Sequence, residues 1–495
     1  MSSTGANVRL IVGLEIHVQL LTRSKMFCAC PVRFDAPPNS CVCPVCLGLP
    51  GALPVINRHA VDHALLTGLA LGCRITPTTR WDRKSYYYPD LPKNYQISQY
   101  DLPIATEGRF EFDVDGRPRS VRIRRAHLEE DAGKNLHDAT EGTLVDLNRA
   151  GTPLLEIVTE PDLASPDDVY VFCTELQRLV IHLGVAEASM QKGQMRFEPN
   201  VNLAIQSDGG EVRTPIVEIK NLNSFRSVRL AVAYEAQRQL HAWQQDHDYV
   251  FGVTPNENRG WNEERGVTEF QRGKEAAHDY RYFPDPDLPP VRVTEDMLAD
   301  VRRRLCELPV LRRRRLVDAL GLSASDAETL MTHRPTADLF DRVVSLGADP
   351  TVAGKQFVNI WLGLANARGV AVTDLPVDAD RMAELARMSA DGTVNRSAAN
   401  QLAEVMLQRP EPPHRLADEL GLLQTRDTDA TAAWVEQAFA ENEKALNDAL
   451  GNPKKAQAAA GFLRGQVMKL SGGKADPRLV GRLIEERLSR LRNPA

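Results

Sequence analysis

Val8-Arg-Leu-Ile-Val-Gly-Leu-Glu-Ile-His-Val-Gln-Leu-Leu21 is a β-branched and aliphatic run that reads as a strand. Glu15 and His17 stand two residues apart within it, so on a strand they share one face. Two further runs have the same character. Val121–Glu130 alternates and ends in His127-Leu-Glu-Glu-Asp131, and Leu154–Thr159 sets Glu156 alone in an apolar stretch. A carboxylate buried in such a run is costly unless it is paired or bound to a metal. Hard oxygen donors beside an imidazole suit Mg²⁺ or Mn²⁺ carrying nucleotide phosphates. Taken one at a time, such acids are more often members of exposed ion pairs. Nothing in the spacing alone brings the three segments together.

Outward from these strands, helical patterns appear at Val169–Leu183 and Ser227–Gln245. Arg281–Val293 holds four prolines, dense enough to stop regular structure, and a domain boundary is placed there. From Thr294 the pattern is almost wholly helical, with a second break at Arg409-Pro-Glu-Pro-Pro413. The fold class expected is α+β: a β-rich domain over 1–293, then all-α domains over 294–410 and 411–495. In the last of these, a helix over Thr431–Leu450 ends at Gly451 and Pro453, and a final helix opens at Asp476-Pro477. Gly451–Ala495 carries ten Lys and Arg against three acids, a net +7 in a chain whose total is −6. Such a tail suits a phosphate backbone, or serves only for solubility.

Five of the eight cysteines fall between Cys28 and Cys46. Cys28-Ala-Cys30 and Cys43-Pro-Val-Cys46 can offer four thiolates to a structural Zn²⁺, with Cys41 as a spare. Buried reduced thiols without metal are the other reading. The stretch Trp81–Tyr95 mixes tyrosines with Arg83, Lys84 and Lys93. It could stack a base and neutralise phosphate, or pack on itself. No P-loop, no Rossmann glycine motif and no serine nucleophile elbow is present. The N-terminus lacks an apolar signal core, and no run approaches the roughly 18 to 20 apolar residues of a membrane span. A cytoplasmic protein without membrane association is expected.

Together the strings V-G-L-E-I-H-V-Q-L, C-P-V-C-L-G-L-P-G, R-K-S-Y-Y-Y-P-D-L-P-K-N-Y, H-L-E-E-D-A-G-K, L-L-E-I-V-T-E-P and D-Y-R-Y-F-P-D-P-D-L-P-P resemble the B subunits of the GatCAB tRNA-dependent amidotransferases. The tail string F-L-R-G-Q-V-M-K resembles that family's YqeY-like helical module. The resemblance implies a β-rich cradle with a zinc knuckle, an all-α linker and a tRNA-binding tail. It implies a ligase forming a carbon–nitrogen bond with glutamine as amide donor. ATP would activate the side-chain carboxylate of Glu-tRNA(Gln) or Asp-tRNA(Asn). Ammonia from the A subunit would then complete Gln-tRNA(Gln) or Asn-tRNA(Asn) for translation, in a heterotrimer with A and C subunits. Carried over by position, His17, Glu130 and Glu156 are the implied Mg²⁺ ligands, with Glu15 and Glu218 for a second ion. Glu15, Glu130 and Lys84 are the implied catalytic groups, and Lys84, Lys93, Tyr86 and Arg196 the nucleotide- and channel-side groups. Two strings depart from the family pattern, Met195–Asn202 and Phe270-Gln-Arg272.

Overall fold

The computed structural model describes residues 7–136, 142–207, 210–273, 280–424, 427–451 and 455–492; Pro453 and Lys454 of the tail lie outside them. The chain forms two compact units, Met1–Arg312 and Arg313–Ala495.

The first unit is built on one large sheet. Its elements begin with β1 (Val8–Gln19), α1 (Arg58–Ala70), β2 (Arg74–Ile75), β3 (Thr78–Thr79), β4 (Asp82–Ser85), β5 (Tyr95–Ser98), β6 (Ala105–Val114) and β7 (Arg117–Glu130). There follow β8 (Lys134–Leu136), β9 (Leu144–Asp146), β10 (Pro153–Thr159), α2 (Pro166–His182), β11 (Met195–Ser207), β12 (Gly210–Arg213) and β13 (Val217–Lys220). The unit closes with α3 (Phe225–Gln245), β14 (Glu257–Asn262), β15 (Val267–Gly273), β16 (Phe283–Pro284), β17 (Val291–Arg292) and α4 (Glu295–Arg304). The large sheet runs β15-β14-β13-β11-β1-β10-β7-β6-β2, with β12 added beside β11. Only β13 and β14 pair in parallel; the other pairs along it are antiparallel.

One face of this sheet is apolar. Leu14, Ile16 and Val18 of β1, Leu155 and Ile157 of β10, and Ala126 and Leu128 of β7 are buried there with Leu65 of α1, Phe172 of α2 and Val228 of α3. Each helix starts on a side-chain cap: Asn57, Ser165 and Ser224 accept from the first-turn amides of α1, α2 and α3. The opposite face is polar and carries the site.

The proline-rich stretch before residue 293 does not end this unit. β16 pairs with β4, β17 pairs with β3, and Leu298 and Val301 of α4 join the same core. The second unit is helical and holds two cores. One is formed by residues from Leu316 to Ala417, around Phe340, Phe357, Trp361 and Leu402. The other runs from Val435 to Leu488. The helix expected over Thr431–Leu450 is two, Thr428–Glu441 and Glu443–Gly451, broken at Asn442, whose side chain turns back to donate to the Ala438 carbonyl. Asp476 caps the last helix, Pro477–Arg492, as expected. The whole is α+β, sheet-rich first and helical after. No helix among the described residues is long and apolar enough to cross a membrane.

Candidate active site

Strand register assembles the site. Across β11, β1, β10 and β7, Arg196 faces His17, His17 faces Glu156, and Glu156 faces His127. One row over, Glu198 of β11 lies opposite Glu15 of β1, and on the next pair Asn200 lies opposite Glu218 of β13. Because side chains alternate, these polar residues share the face that the apolar core does not use. All of them but Asn200 line a cleft of about 590 Å³, which Tyr86, Tyr100, Tyr280 and Tyr282 also line. The rings of Tyr100 and Tyr282 stack at 4.1 Å.

Two donor groups stand in the cleft. His17, Glu129 and Glu156 place ligand atoms within 4.8 Å of one another, and so do Glu15, Glu198 and Glu218. His17 Nε2 lies 3.7 Å from a carboxylate oxygen of both Glu129 and Glu156, too far for a hydrogen bond and close enough for a shared cation. The Nδ1 atoms of His17 and His127 are buried with no hydrogen-bond partner. Burial and the neighbouring Glu156 carboxylate push the Glu129 pKa up. For Glu156 burial acts in the same direction, but His127 and His17 outweigh it and hold its pKa well below the usual range. One imidazole and two buried carboxylates are a hard donor set that fits Mg²⁺ or Mn²⁺. The second group already holds a cation: Lys220 Nζ lies 2.6 Å from Glu198 and 3.0 Å from Glu218. Burial works against the Glu198 charge, but Lys220 and His17 hold its pKa down to about 2.

Of the residues expected from sequence, Glu15, His17, Lys84, Tyr86, Glu156, Arg196 and Glu218 meet in this cleft. Lys84 Nζ sits 4.8 Å from the centre of the Tyr280 ring and 5.7 Å from that of Tyr86. Burial disfavours its charge, yet Tyr282, Glu129 and Glu156 outweigh that and raise its pKa. Arg196 donates to Asp131 at 3.0 Å.

Glu130 and Lys93 do not join them. Glu130 points to the other side of β7, where its carboxylate pairs with Lys93 and accepts from the Ile97 amide at 3.0 Å. The place expected for Glu130 is filled by Glu129. Glu130 and Lys93 line a separate cavity of about 100 Å³ with Lys25, Cys28 and Cys46. The sequence reading also missed His127, Glu198 and Lys220. Glu198 had a signal: Met195, Phe197 and Val201 are core-facing, so alternation puts Arg196, Glu198 and Asn200 on the polar face.

The four sulfurs of Cys28, Cys30, Cys43 and Cys46 also gather within 4.8 Å, a set that could bind zinc. Cys41 is buried outside this group, its amide donating to Asn148. Cys28, hydrogen-bonded to Cys46 and half-buried, has its pKa pushed up, while Cys46 at the other end of that bond is drawn down to about 4. The buried Lys25 ammonium lies 3.6 Å from the Cys46 sulfur.

The polar sheet face with these donors lies within a stretch that matches a known catalytic-domain family. Residues 10–299 match the model of the GatB/GatE catalytic domain and residues 338–488 that of the GatB domain, and the chain belongs to this family. It is 44% identical over 481 residues to the B subunit of the aspartyl/glutamyl-tRNA(Asn/Gln) amidotransferase of Moorella thermoacetica, covering 97% of this chain and 99% of that one. It is 45% identical over 488 residues to the protein of the same name from Thermomicrobium roseum, covering 97% and 98%. The one from Rhodopirellula baltica is 42% identical over 490 residues, covering 98% and 97%.

Proposed function

We propose that this chain is the B subunit of a tRNA-dependent amidotransferase, a carbon–nitrogen ligase that activates the side-chain carboxylate of Glu-tRNA(Gln) or Asp-tRNA(Asn) with ATP and converts it to the amide. The observation that carries this reading is the convergence of His17, Glu129 and Glu156 from three adjacent strands beside Lys84. A carboxylate oxygen attacks the terminal phosphorus of ATP, ADP leaves, and an acyl phosphate results. Ammonia nitrogen then attacks the acyl carbon, the C–O bond breaks, and phosphate departs with the proton balance met by solvent. Neither step needs a nucleophile from the protein, so the cleft works by positioning and charge.

His17, Glu129 and Glu156 would hold Mg²⁺, which when bound neutralises phosphate charge. Lys84 holds a fixed positive charge against the tyrosine wall, directed at the same region. Arg196 is oriented by Asp131 and presents its guanidinium to the cleft. Ammonia would come from glutamine on an A subunit, in a heterotrimer closed by a C subunit. The Lys93–Glu130 cavity, which backs onto the cleft across the end of β7, suits its passage: a small space of mixed lining, with Lys25, Lys93 and Glu130 among its polar groups, for a small molecule. The basic tail would contact the tRNA.

The test is Glu129→Gln in the reconstituted heterotrimer. Amide formation falls at least a hundredfold, while tRNA affinity stays within twofold. A chain that only carries tRNA for another enzyme would keep amidation intact in this variant, and that result would overturn the reading.

A further inference from the structure

Beyond His17, β1 continues on the same face to Gln19, about 7 Å further along the strand. There a second groove opens, of about 570 Å³. Gln19 lines it and donates to Asp131 at 2.8 Å, and Arg149 lines it and lies 3.7 Å from the same carboxylate. Asp131 itself lines the catalytic cleft, so groove and cleft are separated by side chains gathered on one acid.

The groove is cationic, and its cations are available. Arg33, Lys134 and Lys192 are exposed, and none has a carboxylate within 4.0 Å among the described residues. Its two acids are occupied. Asp146 accepts from the amides of Asn39 and Asn148, and Glu187 accepts from Gln194. Phe34 projects into solvent with 60% of its surface exposed, and Lys192 Nζ lies 5.2 Å from the ring centre. A single exposed ring is ordinary on a protein surface, so Phe34 carries weight here through the unpaired cations around it. A ring beside free cations suits a ligand offering flat bases and phosphates in succession.

We propose that this groove holds the unpaired 3′ end of the substrate tRNA, with a base stacked on Phe34 and its phosphates met by Lys192, Lys134 and Arg33. The inference rests on the amidotransferase reading for the identity of the RNA. It adds the route by which the charged terminus reaches the cleft, over the Gln19–Asp131 wall.

The test is equilibrium binding to the reconstituted heterotrimer, with two probes: uncharged tRNA(Gln), and the same tRNA lacking its unpaired 3′ nucleotides. Phe34→Ala and Lys192→Ala each weaken binding of the full-length tRNA about tenfold, Phe34→Tyr restores it, and all three leave the shortened tRNA unaffected. Equal losses on both probes, or none on either, overturn the proposal. So does a loss of heterotrimer assembly with tRNA affinity unchanged, which would make the groove a protein interface. Binding is read without turnover, so its outcome is independent of whether Glu129→Gln stops amidation.

Discussion

Glu129 and Glu130 end the same strand and face opposite ways, and their surroundings give the same substitution opposite consequences. Glu129 lies beside the Glu156 carboxylate in a buried site, so its charge opposes folding when no cation is present. Glu130 compensates the Lys93 ammonium, which is itself buried against Phe27 and Tyr95. Removing one partner of such a pair strands the other, at a cost of about 3 kcal/mol. In metal-free protein, Glu130→Gln therefore lowers the unfolding midpoint of the first unit clearly. Glu129→Gln leaves it unchanged or raises it. Urea titration of the two variants side by side checks this, and a reversed order would show that the two faces of β7 have been misassigned.

At the scale of the element, β7 shows why counting along the strand does not separate this pair. Val121 and Ile123 are buried, and counting onward by twos would send Glu129 into the core and Glu130 to the polar face. The register against β10 slips between Val158, opposite Arg125, and Thr159, opposite Ile123, leaving Arg124 as an extra residue in β7. Beyond the slip the buried residues are Ala126 and Leu128, and the parity is reversed. His17, Glu15 and Glu156 were legible because β1 and β10 hold the regular alternation through those positions, whereas a bulge leaves no mark on composition. The knuckle is the other element whose order depends on something local. Between Ser24 and Ala52 the backbone has only one isolated bridge, Ser24 to Pro31, and no helix. Four thiols that converge there supply what secondary structure does not. Replacing Cys43 and Cys46 together by Ser should leave less than a tenth of the zinc, by elemental analysis. It should also open 24–52 to limited proteolysis while far-ultraviolet dichroism of the sheet persists. Unchanged protease resistance in a zinc-free variant would show that the thiols pack without metal.

At the scale of the molecule, prolines marked where regular structure stops but not where a core ends. The stretch before residue 293 returns two short strands to the first unit, and the Pro410–Pro413 break is followed by the helix Pro413–Glu419, whose Leu416 and Ala417 sit in the core around Trp361 and Leu402. A tail removed at residue 410 would therefore uncover Leu402, Ala403 and Met406 and confound any binding measurement with unfolding. Removal after Gln424 takes away the core of Val435 to Leu488 and leaves the other intact. The last helix of that core buries Leu479, Val480, Ile484 and Leu488 and exposes Arg478, Arg482 and Arg490, while Arg487 is tied to Glu436 at 2.7 Å. Arg492 is exposed as well but donates to the Ala449 carbonyl at 2.6 Å, which leaves three exposed guanidiniums on this helix available to phosphates, and each phosphate contact contributes about 0.7 to 0.9 to the slope of log affinity against log salt. The chain ending at Gln424, assembled with its partner proteins, should bind tRNA more weakly and with a slope shallower by about 2 to 3. Reversing the three arginines to glutamate in the full chain should reproduce that change without loss of thermal stability. An unaltered slope in both would place the phosphate contacts elsewhere on the protein.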